Sequence, residues 1–173
     1  MPAPEGRNLD AFNRLDEAQA REALVACCAS HRWAKVVAAG RPFASSHALL
    51  ATADAALADL GSADLDDAMS GHPRIGDKVT GPGGAWSRAE QGGMSEADAE
   101  LEAAMAQGNR DYEAKFGHVY LISASGKSAQ ELLDTLQHRL ANEPAAELEV
   151  IRGEFRKINR IRLAKLIEDA PSP

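Results

Sequence analysis

Residues 148–166, with the sequence LEVIRGEFRKINRIRLAKL, show a clear helical periodicity. At about 100° per residue, the apolar positions fall within an arc of about 80° on one face. These positions are Leu148, Ile151, Phe155, Ile158 and Leu166. Arg162 projects to the middle of the same arc. The pattern predicts a long helix that starts with Pro144 in its first turn and ends near Asp169.

A guanidinium on an apolar face must be paired, reach solvent or be held for function, because an unpaired buried charge is strongly destabilising. For Arg162, position alone leaves open a structural pair with an Asp or Glu, a surface exit, or an anion anchor. Arginine suits the last role because its guanidinium can bind a carboxylate through two hydrogen bonds. Arg162 is therefore a candidate binding residue, with the structural interpretations as alternatives.

Outward from this helix, capping signals and apolar spacing predict helices along most of the chain. Asp16 with Gln19, and Ser128 with Glu131, have the spacing of capping boxes. Further predicted helix starts are Ser30, Ser45 or Ser46, Ser62 and Ser95. Residues 118–122 have β character but are too short to found a sheet, so we predict an extended connector. The sequence predicts an all-α fold: a single compact domain over residues 1–173, about eight helices, and frayed tails at 1–7 and 170–173.

Composition narrows the classes of function. With 173 residues, of which 45% are hydrophobic and 26% charged, the chain can bury a core without disulfides or a structural metal. Its net charge of -7, without a basic stripe, argues against a nucleic-acid partner. We find neither a secretory signal nor an apolar run near the roughly 20 residues of a membrane helix. We therefore expect a cytoplasmic protein without a membrane partner, in which Cys27 and Cys28 are buried free thiols.

Polar chemistry is densest between residues 72 and 91, within a stretch, 71–94, in which the helical pattern breaks. Glycines and prolines recur there, which predicts a loop with one helical turn at 87–91. His72 precedes Pro73, so its backbone is extended and its imidazole projects from a loop, as catalytic groups often do. A histidine packed against a helix end is the alternative.

Ser87 and Glu90 have two interpretations. Their spacing is that of a capping box, which would use both side chains structurally. Alternatively, the helix N-terminus is itself a binding site, whose free amides attract an anion.

Other motifs are incomplete. The histidines and cysteines show no metal-ligand spacing, so we expect no metal site. Residues 125–128 resemble the end of a phosphate-binding loop, but position 121 is leucine where that motif needs glycine. Lys127 is therefore predicted to be a solvated residue in front of a helix.

Five motifs stand in one order along the chain. They are His72-Pro73-Arg74-Ile75-Gly76, Trp86-Ser87-x-x-Glu90-Gln91, Asn109-x-x-Tyr112-x-x-Lys115-Phe116-Gly117, Gly126-Lys127-Ser128 and Ile158-x-x-Ile161-Arg162-Leu163. In this order the chain resembles the 2-oxo-4-hydroxy-4-carboxy-5-ureidoimidazoline (OHCU) decarboxylases over roughly residues 8–168, with an Arg-Ile-Gly sequence similar to the bacterial branch. The glycine-rich residues 77–85 are the one departure from that pattern.

The resemblance implies a homodimeric, cofactor-free enzyme of urate degradation that converts OHCU into (S)-allantoin and CO2. It implies His72 as the proton donor, with Glu90 and Arg162 completing the catalytic set. The substrate contacts that it implies, the last five largely through backbone groups, are Pro73, Ser87, Arg88, Ala89, Gln91, Tyr120, Leu121, Ile122, Ser123 and Ala124. It also implies a functional link to 5-hydroxyisourate hydrolase, whose product is this substrate.

Two other classes of function fit part of the sequence. A non-catalytic helical protein that binds a purine metabolite, or assembles with the preceding hydrolase, would share the same helices. Arg162 on the apolar arc and the polar loop count against it. A metal-dependent cyclic amidohydrolase is disfavoured because ligand spacing is missing.

Overall fold

The computed structural model describes residues 7–77 and 84–168. Over these ranges the chain forms nine α-helices and one 3-10 helix, without a strand. In chain order they are α1 (Arg7–Arg14), α2 (Glu17–Cys27), α3 (His31–Ala39), α4 (Ser46–Ala58), α5 (Ser62–Ser70), α6 (Gly84–Glu90), the 3-10 helix (Gly92–Glu96), α7 (Ala99–Phe116), α8 (Ala129–Arg139) and α9 (Pro144–Glu168). The predicted all-α fold is confirmed. None of the described helices combines the length and apolar character needed to cross a membrane.

The predicted count of about eight helices agrees with the nine α-helices of the described ranges, but the segment after residue 84 is more helical than its glycines suggest. A loop with one turn at 87–91 was predicted, but α6 and the 3-10 helix occupy this part of the chain. Ser87 lies inside α6, so the capping-box interpretation of Ser87 and Glu90 is wrong. Both side chains are buried, and their spacing of three places them on one helical face. Burial of that face therefore outweighs the local preference of the glycines.

The start of α7 also differs from the prediction. Ser95 was expected to cap it, but the Ser95 hydroxyl donates to the Gly92 carbonyl at 2.7 Å, within the 3-10 helix. Asp98 is the N-cap, and its Oδ1 accepts from the Leu101 amide at 2.8 Å. A carboxylate at this position satisfies an amide and also interacts with the positive end of the helix dipole.

Contacts divide the structure into two compact units. The first comprises the chain up to Ala68 and from Arg156 onward, and the second runs from Met69 to Phe155. The single domain over 1–173 stays a prediction. The predicted tails lie outside the described residues, except that Arg7 is the first residue of α1.

In the first unit, α2, α3 and α4 pack in succession. Trp33 is fully buried, and its indole N–H donates to the Ala53 carbonyl at 3.0 Å, which joins α3 to α4. The predicted N-caps of these helices are confirmed at Asp16, Ser30 and Ser45, each accepting from an amide three residues ahead.

Asp54 on α4 binds two arginines of α9. Its Oδ2 lies 3.1 Å from Arg156 Nε and 3.0 Å from Arg160 Nε. Burial raises the pKa of Asp54, but the hydrogen bonds and charges of the two guanidiniums outweigh it, so the net pKa is lowered. The folded-state pKa therefore lies below the unfolded value. The stabilisation is complete above the ordinary carboxyl pKa and is lost as pH falls through the lowered one.

We expect Asp54→Asn to lower the free energy of unfolding at neutral pH by about 0.5–1 kcal/mol, the range for exposed ion pairs. The variant should also lose less stability than the parent protein on acidification from about pH 5 to about pH 2. Urea denaturation across this range measures both effects. Asp66→Asn is the control, because Asp66 is exposed on α5. An identical acid dependence in both variants would contradict the assignment.

In the second unit, α7 and α8 pack closely. Gly108 permits this approach, because a Cβ there would lie 2.0 Å from Leu136 Cδ2. Ser128 and Glu131 form the predicted capping box at the start of α8, and Pro144 begins α9 as predicted.

A buried polar network centred on Glu147 connects the helices of the second unit. Oε1 of this fully buried carboxylate accepts from the Tyr112 hydroxyl at 2.6 Å and from Arg139 Nε at 2.7 Å. Oε2 accepts from Asn142 Nδ2 at 2.9 Å. Burial, and then the bond to Glu147, raises the pKa of Tyr112 well above its ordinary value, so its hydroxyl remains a donor. We call Tyr112, Arg139, Asn142 and Glu147 the Glu147 network.

Candidate active site

His72 lies just beyond α5, and its backbone N–H donates to the Met69 carbonyl at 3.0 Å. Its imidazole is half-buried and meets the Phe155 ring edge-on, with the ring centroids 5.4 Å apart. Pro73, also half-buried, follows directly. The histidine is thus packed against an aromatic ring at a helix end and still partly exposed, so it combines features of both interpretations of the sequence.

The residues after Pro73 are bound by side chains of α7. Arg74 donates to the Glu113 carboxylate through Nε at 2.7 Å and Nη2 at 3.2 Å. The Ile75 carbonyl accepts from Asn109 Nδ2 at 3.0 Å, and both residues are buried. The ion pair is exposed, whereas the Asn109 bond is shielded from water.

Gln91 binds the same loop from another side. The Gly76 amide donates to Gln91 Oε1 at 3.0 Å, and Gly76 has a φ of +93°, a conformation that favours glycine. This bond joins the His72 loop to the end of α6. We call the three side chains that hold residues 74–76, namely Asn109, Glu113 and Gln91, the loop clamp.

α6 presents the predicted site residues in two groups. Ser87 and Glu90 are buried, with 6% and 9% of their surfaces exposed, whereas Arg88 and Ala89 are exposed. The Ser87 carbonyl accepts from the Gln91 amide at 3.0 Å, which carries the helical geometry on to Gln91.

The 3-10 helix after Gln91 lies directly against the turn before α8. A Cβ at Gly93 would come within 2.0 Å of the Lys127 carbonyl oxygen. Lys127 Nζ in turn donates to the Ser123 carbonyl at 2.9 Å. The prediction that Lys127 is solvated is therefore wrong: it is half-buried and bridges two backbone segments.

We expect Gly93→Ala to lower the free energy of unfolding by about 1–3 kcal/mol, the usual range for an overpacked position. The added methyl group would overlap backbone atoms, which cannot rotate away as a side chain can. Chemical denaturation measures the loss. Gly92→Ala is the matched control, since a Cβ there has nothing within 4 Å. Equal losses in the two variants would refute the packing argument.

Residues 120–124 form a buried segment outside the helices, and part of its polar backbone is already hydrogen-bonded. The Leu121 carbonyl accepts from Arg139 Nη1 at 2.7 Å, and the Ser123 amide donates to Glu154 Oε2 at 2.8 Å. These contacts hold the segment in place. They also use backbone groups that the family resemblance had predicted to bind the substrate. The substrate contacts at Tyr120, Leu121, Ile122, Ser123 and Ala124 stay predictions.

Tyr120 anchors this segment through its side chain. Its hydroxyl donates to the Leu132 carbonyl at 3.0 Å, and burial raises the pKa of Tyr120 above its ordinary value. The phenol is therefore a neutral structural donor.

Arg162 belongs to the first unit and is buried, with 4% of its surface exposed, so the surface exit is excluded among its three interpretations. Its Nη1 donates to the Cys27 carbonyl at the end of α2, at 3.2 Å. Burial raises the pKa of the neighbouring Cys28 thiol, although a backbone hydrogen bond from Ser30 and the proximity of Asn159 and Arg162 act in the opposite direction. Cys27 and Cys28 are buried free thiols, as predicted.

The second unit contains the predicted site segments at residues 72–76, 87–91 and 120–124, and Arg162 belongs to the first unit. Direct contacts join residues 72–76 to Gln91, and the 3-10 helix to the turn that follows residues 120–124.

A surface depression of about 220 Å³ lies beside the loop; its lining is Gly76, Asp77, Arg88, Gln91, Met94 and Ser95. Within the described ranges, no cluster of three or more His, Cys, Asp or Glu side chains is arranged to hold a metal. The predicted closure region, 77–85, falls mostly outside these ranges.

Sequence reasoning missed the residues that support these segments. Asn109 was noticed only as part of a motif, and its contact with Ile75 spans 34 positions. Arg139 had a detectable signal, because it lies three residues after Leu136 and seven after Leu132 on the buried face of α8. The projection that identified Arg162 would have identified it as well.

Comparisons with known proteins identify the family to which this chain is similar. The family model described as OHCU decarboxylase matches residues 13–164. A uric acid degradation bifunctional protein of Arabidopsis thaliana is 32% identical over 148 residues, which cover 83% of this chain and 46% of that protein. A 2-oxo-4-hydroxy-4-carboxy-5-ureidoimidazoline decarboxylase of Amia calva is 35% identical over 139 residues, covering 78% and 79% of the two chains. The chain thus spans less than half of the Arabidopsis relative.

Solved structures show the same fold. A crystal structure of OHCU decarboxylase in the presence of (S)-allantoin superposes with a TM-score of 0.75 at 31% identity, covering 84% of this chain and 96% of that one. A crystal structure of (S)-allantoin synthase superposes with a TM-score of 0.70 at 18% identity, covering 92% and 53%. The second likeness concerns the fold alone.

Proposed function

This chain belongs to the OHCU decarboxylase family, and we propose that it converts OHCU into (S)-allantoin and CO2. One observation carries the proposal: the Gly76 amide donates a hydrogen bond to Gln91, so the loop that bears His72 is attached to the residue directly after Glu90. Family membership supplies the substrate class, and this geometry supplies a histidine loop attached to a buried carboxylate segment.

The reaction needs little from the protein beyond orientation, charge stabilisation and one proton. The bond between the ring carbon and the carboxylate breaks, and its electron pair enters the conjugated imidazolone system of the substrate. A proton then adds to one face of the ring carbon that bears the ureido group, which creates the S centre. The hydroxyl on the neighbouring carbon becomes the carbonyl of allantoin, and its proton goes to the ring nitrogen that accepted the electron pair. Because the substrate itself accepts the electron pair, the proposal includes no cofactor.

The residue roles follow the family resemblance. His72 delivers the proton, since an imidazole titrates near neutrality and this one is partly exposed. Glu90 orients His72 or binds the ureido N–H groups, and Gln91 and Ser87 contribute to the same contact. Arg162 stabilises the developing anion through its guanidinium. Pro73, Arg88 and Ala89 complete the proposed substrate contacts next to them in sequence.

Circular dichroism at an allantoin band tests the activity while urate is oxidised and hydrolysed in situ. OHCU decays unaided to racemic allantoin, so a chiral signal separates catalysis from background. We expect an S signal whose rate is proportional to the concentration of this protein. A flat signal while the upstream steps run would reject the activity. Thermal stabilisation by allantoin in that case would favour a non-catalytic binding protein.

We also propose a homodimer in the cytoplasm and a functional link to 5-hydroxyisourate hydrolase. The names of relatives in Arabidopsis thaliana and Bacillus subtilis, both described as uric acid degradation bifunctional proteins, support the link. Light scattering during size-exclusion chromatography should give twice the mass of one chain. Sedimentation of a mixture with the purified hydrolase should give a faster boundary, and two independent boundaries would reject physical association.

A further inference from the structure

We propose that Asn109 is a positioning residue that sets the place of the His72 imidazole through its bond to the Ile75 carbonyl. The inference rests on the proposed role of His72 as proton donor. Asn109 does not need to touch the substrate, because it acts on the loop that carries the histidine.

Within the loop clamp, Asn109 is the member best suited to this role. Its bond to Ile75 is buried, with 5% of each residue exposed, so water does not compete for the carbonyl. The Arg74–Glu113 pair is more exposed, with 51% of the arginine side chain open to solvent, and exposed pairs contribute little. Gln91 is a proposed substrate contact, so its replacement would not separate positioning from binding.

The short chain between Ile75 and His72 has few free torsions. Proline fixes its own φ and restricts the residue before it, so Pro73 couples the backbone of His72 to Arg74. The Asp77 amide then donates to the Arg74 carbonyl at 3.1 Å and closes a turn around Ile75. A shift of the Ile75 carbonyl is therefore transmitted to the imidazole.

The other end of the Asn109 amide supports the assignment. Its Oδ1 is buried and has no hydrogen-bond partner among residues 7–77 and 84–168. A buried acceptor without a hydrogen bond destabilises the folded state, and an apolar side chain at this position would avoid that loss. The presence of asparagine despite its unsatisfied Oδ1 is explained by the hydrogen bond that its Nδ2 donates to the loop.

The test compares Asn109→Leu with Asp98→Ala. The leucine is similar in size and removes both the donor and the unsatisfied acceptor. Asp98→Ala removes the N-cap of the same helix, which destabilises that helix without touching the loop. We expect Asn109→Leu to lower kcat by about 10- to 100-fold with KM changed by less than about threefold, because small misplacements of a catalytic group have effects of this order. Asp98→Ala should leave kcat unchanged.

A second measurement is independent of turnover. The His72 imidazole resonance in the NMR spectrum, assigned by its loss in His72→Gln, should shift and titrate differently in Asn109→Leu but not in Asp98→Ala. Unchanged kcat and an unchanged His72 resonance would overturn the proposal, as would equal kcat losses in the two variants. If the parent protein has no turnover, the proposed function fails, while the imidazole resonance still decides whether Asn109 positions His72.

Discussion

Replacing His72 by glutamine should lower kcat for (S)-allantoin formation by about 10²- to 10⁴-fold, the usual contribution of a positioned general acid. Glutamine keeps a polar side chain of comparable reach but cannot deliver a proton near neutral pH. The remaining product should approach the racemic mixture of the unaided decay. The in situ circular dichroism assay measures both the rate and the chirality.

Folding should survive this substitution. The His72 side chain is only half-buried and meets the Phe155 ring edge-on, so far-UV circular dichroism and a cooperative melt should be retained. His138→Gln is the matched control, because His138 is exposed in the last turn of α8. It should keep the parent kcat. Turnover of the parent rate and chirality in His72→Gln would remove His72 from the mechanism.

Glu147→Leu should lower the free energy of unfolding by about 3–5 kcal/mol, the cost of removing one partner of a buried ion pair. The Arg139 guanidinium, 4% exposed, would keep its charge without its carboxylate, and the Tyr112 hydroxyl would lose its acceptor. Burial lowers the pKa of Arg139, but in the parent protein the hydrogen bond and the charge of Glu147 outweigh burial and raise it. The variant loses that support, yet the guanidinium stays charged, because arginine does not lose its proton in proteins. Urea denaturation measures the loss.

The paired variant Arg139→Met with Glu147→Leu separates charge from packing. Replacing both members of a buried ion pair by apolar groups is often nearly neutral, so the double variant should be clearly more stable than Glu147→Leu alone. Tyr112→Phe removes one hydrogen bond of the Glu147 network and should cost about 0.5–1.5 kcal/mol. A single Glu147→Leu variant as stable as the parent would show that the network does not stabilise this unit.

The Glu147 network also has a consequence for the site. Arg139 donates to the Leu121 carbonyl. Because Glu147 holds the Arg139 guanidinium in place, this ion pair also stabilises the segment at residues 120–124. The double variant loses this bond even where its stability recovers. Residues 120–124 are proposed substrate contacts. We therefore expect the KM of the double variant, rather than its free energy of unfolding, to show whether this segment has moved.

Local patterns were sufficient to predict most of the helices and to identify Arg162 as a charged residue on an apolar helical face. Capping boxes at Asp16 and Ser128, the proline at the start of α9 and the apolar arc of that helix all act between residues within one or two turns. Each therefore leaves a signal that can be read from a short stretch of the sequence. The order of the motifs likewise identified the family and directed attention to His72 and Glu90.

The contacts that hold the site together are decided by the tertiary structure. Glycines around residue 84 predicted a loop, yet burial of Ser87 and Glu90 accompanies a helix there. The bonds from Asn109 to Ile75 and from Tyr112 to Glu147 join residues 34 and 35 positions apart. No local periodicity encodes such pairs. A hydrogen bond between distant residues stabilises the fold only after packing has removed both groups from water, because each group then has no water molecule to bind in place of the other.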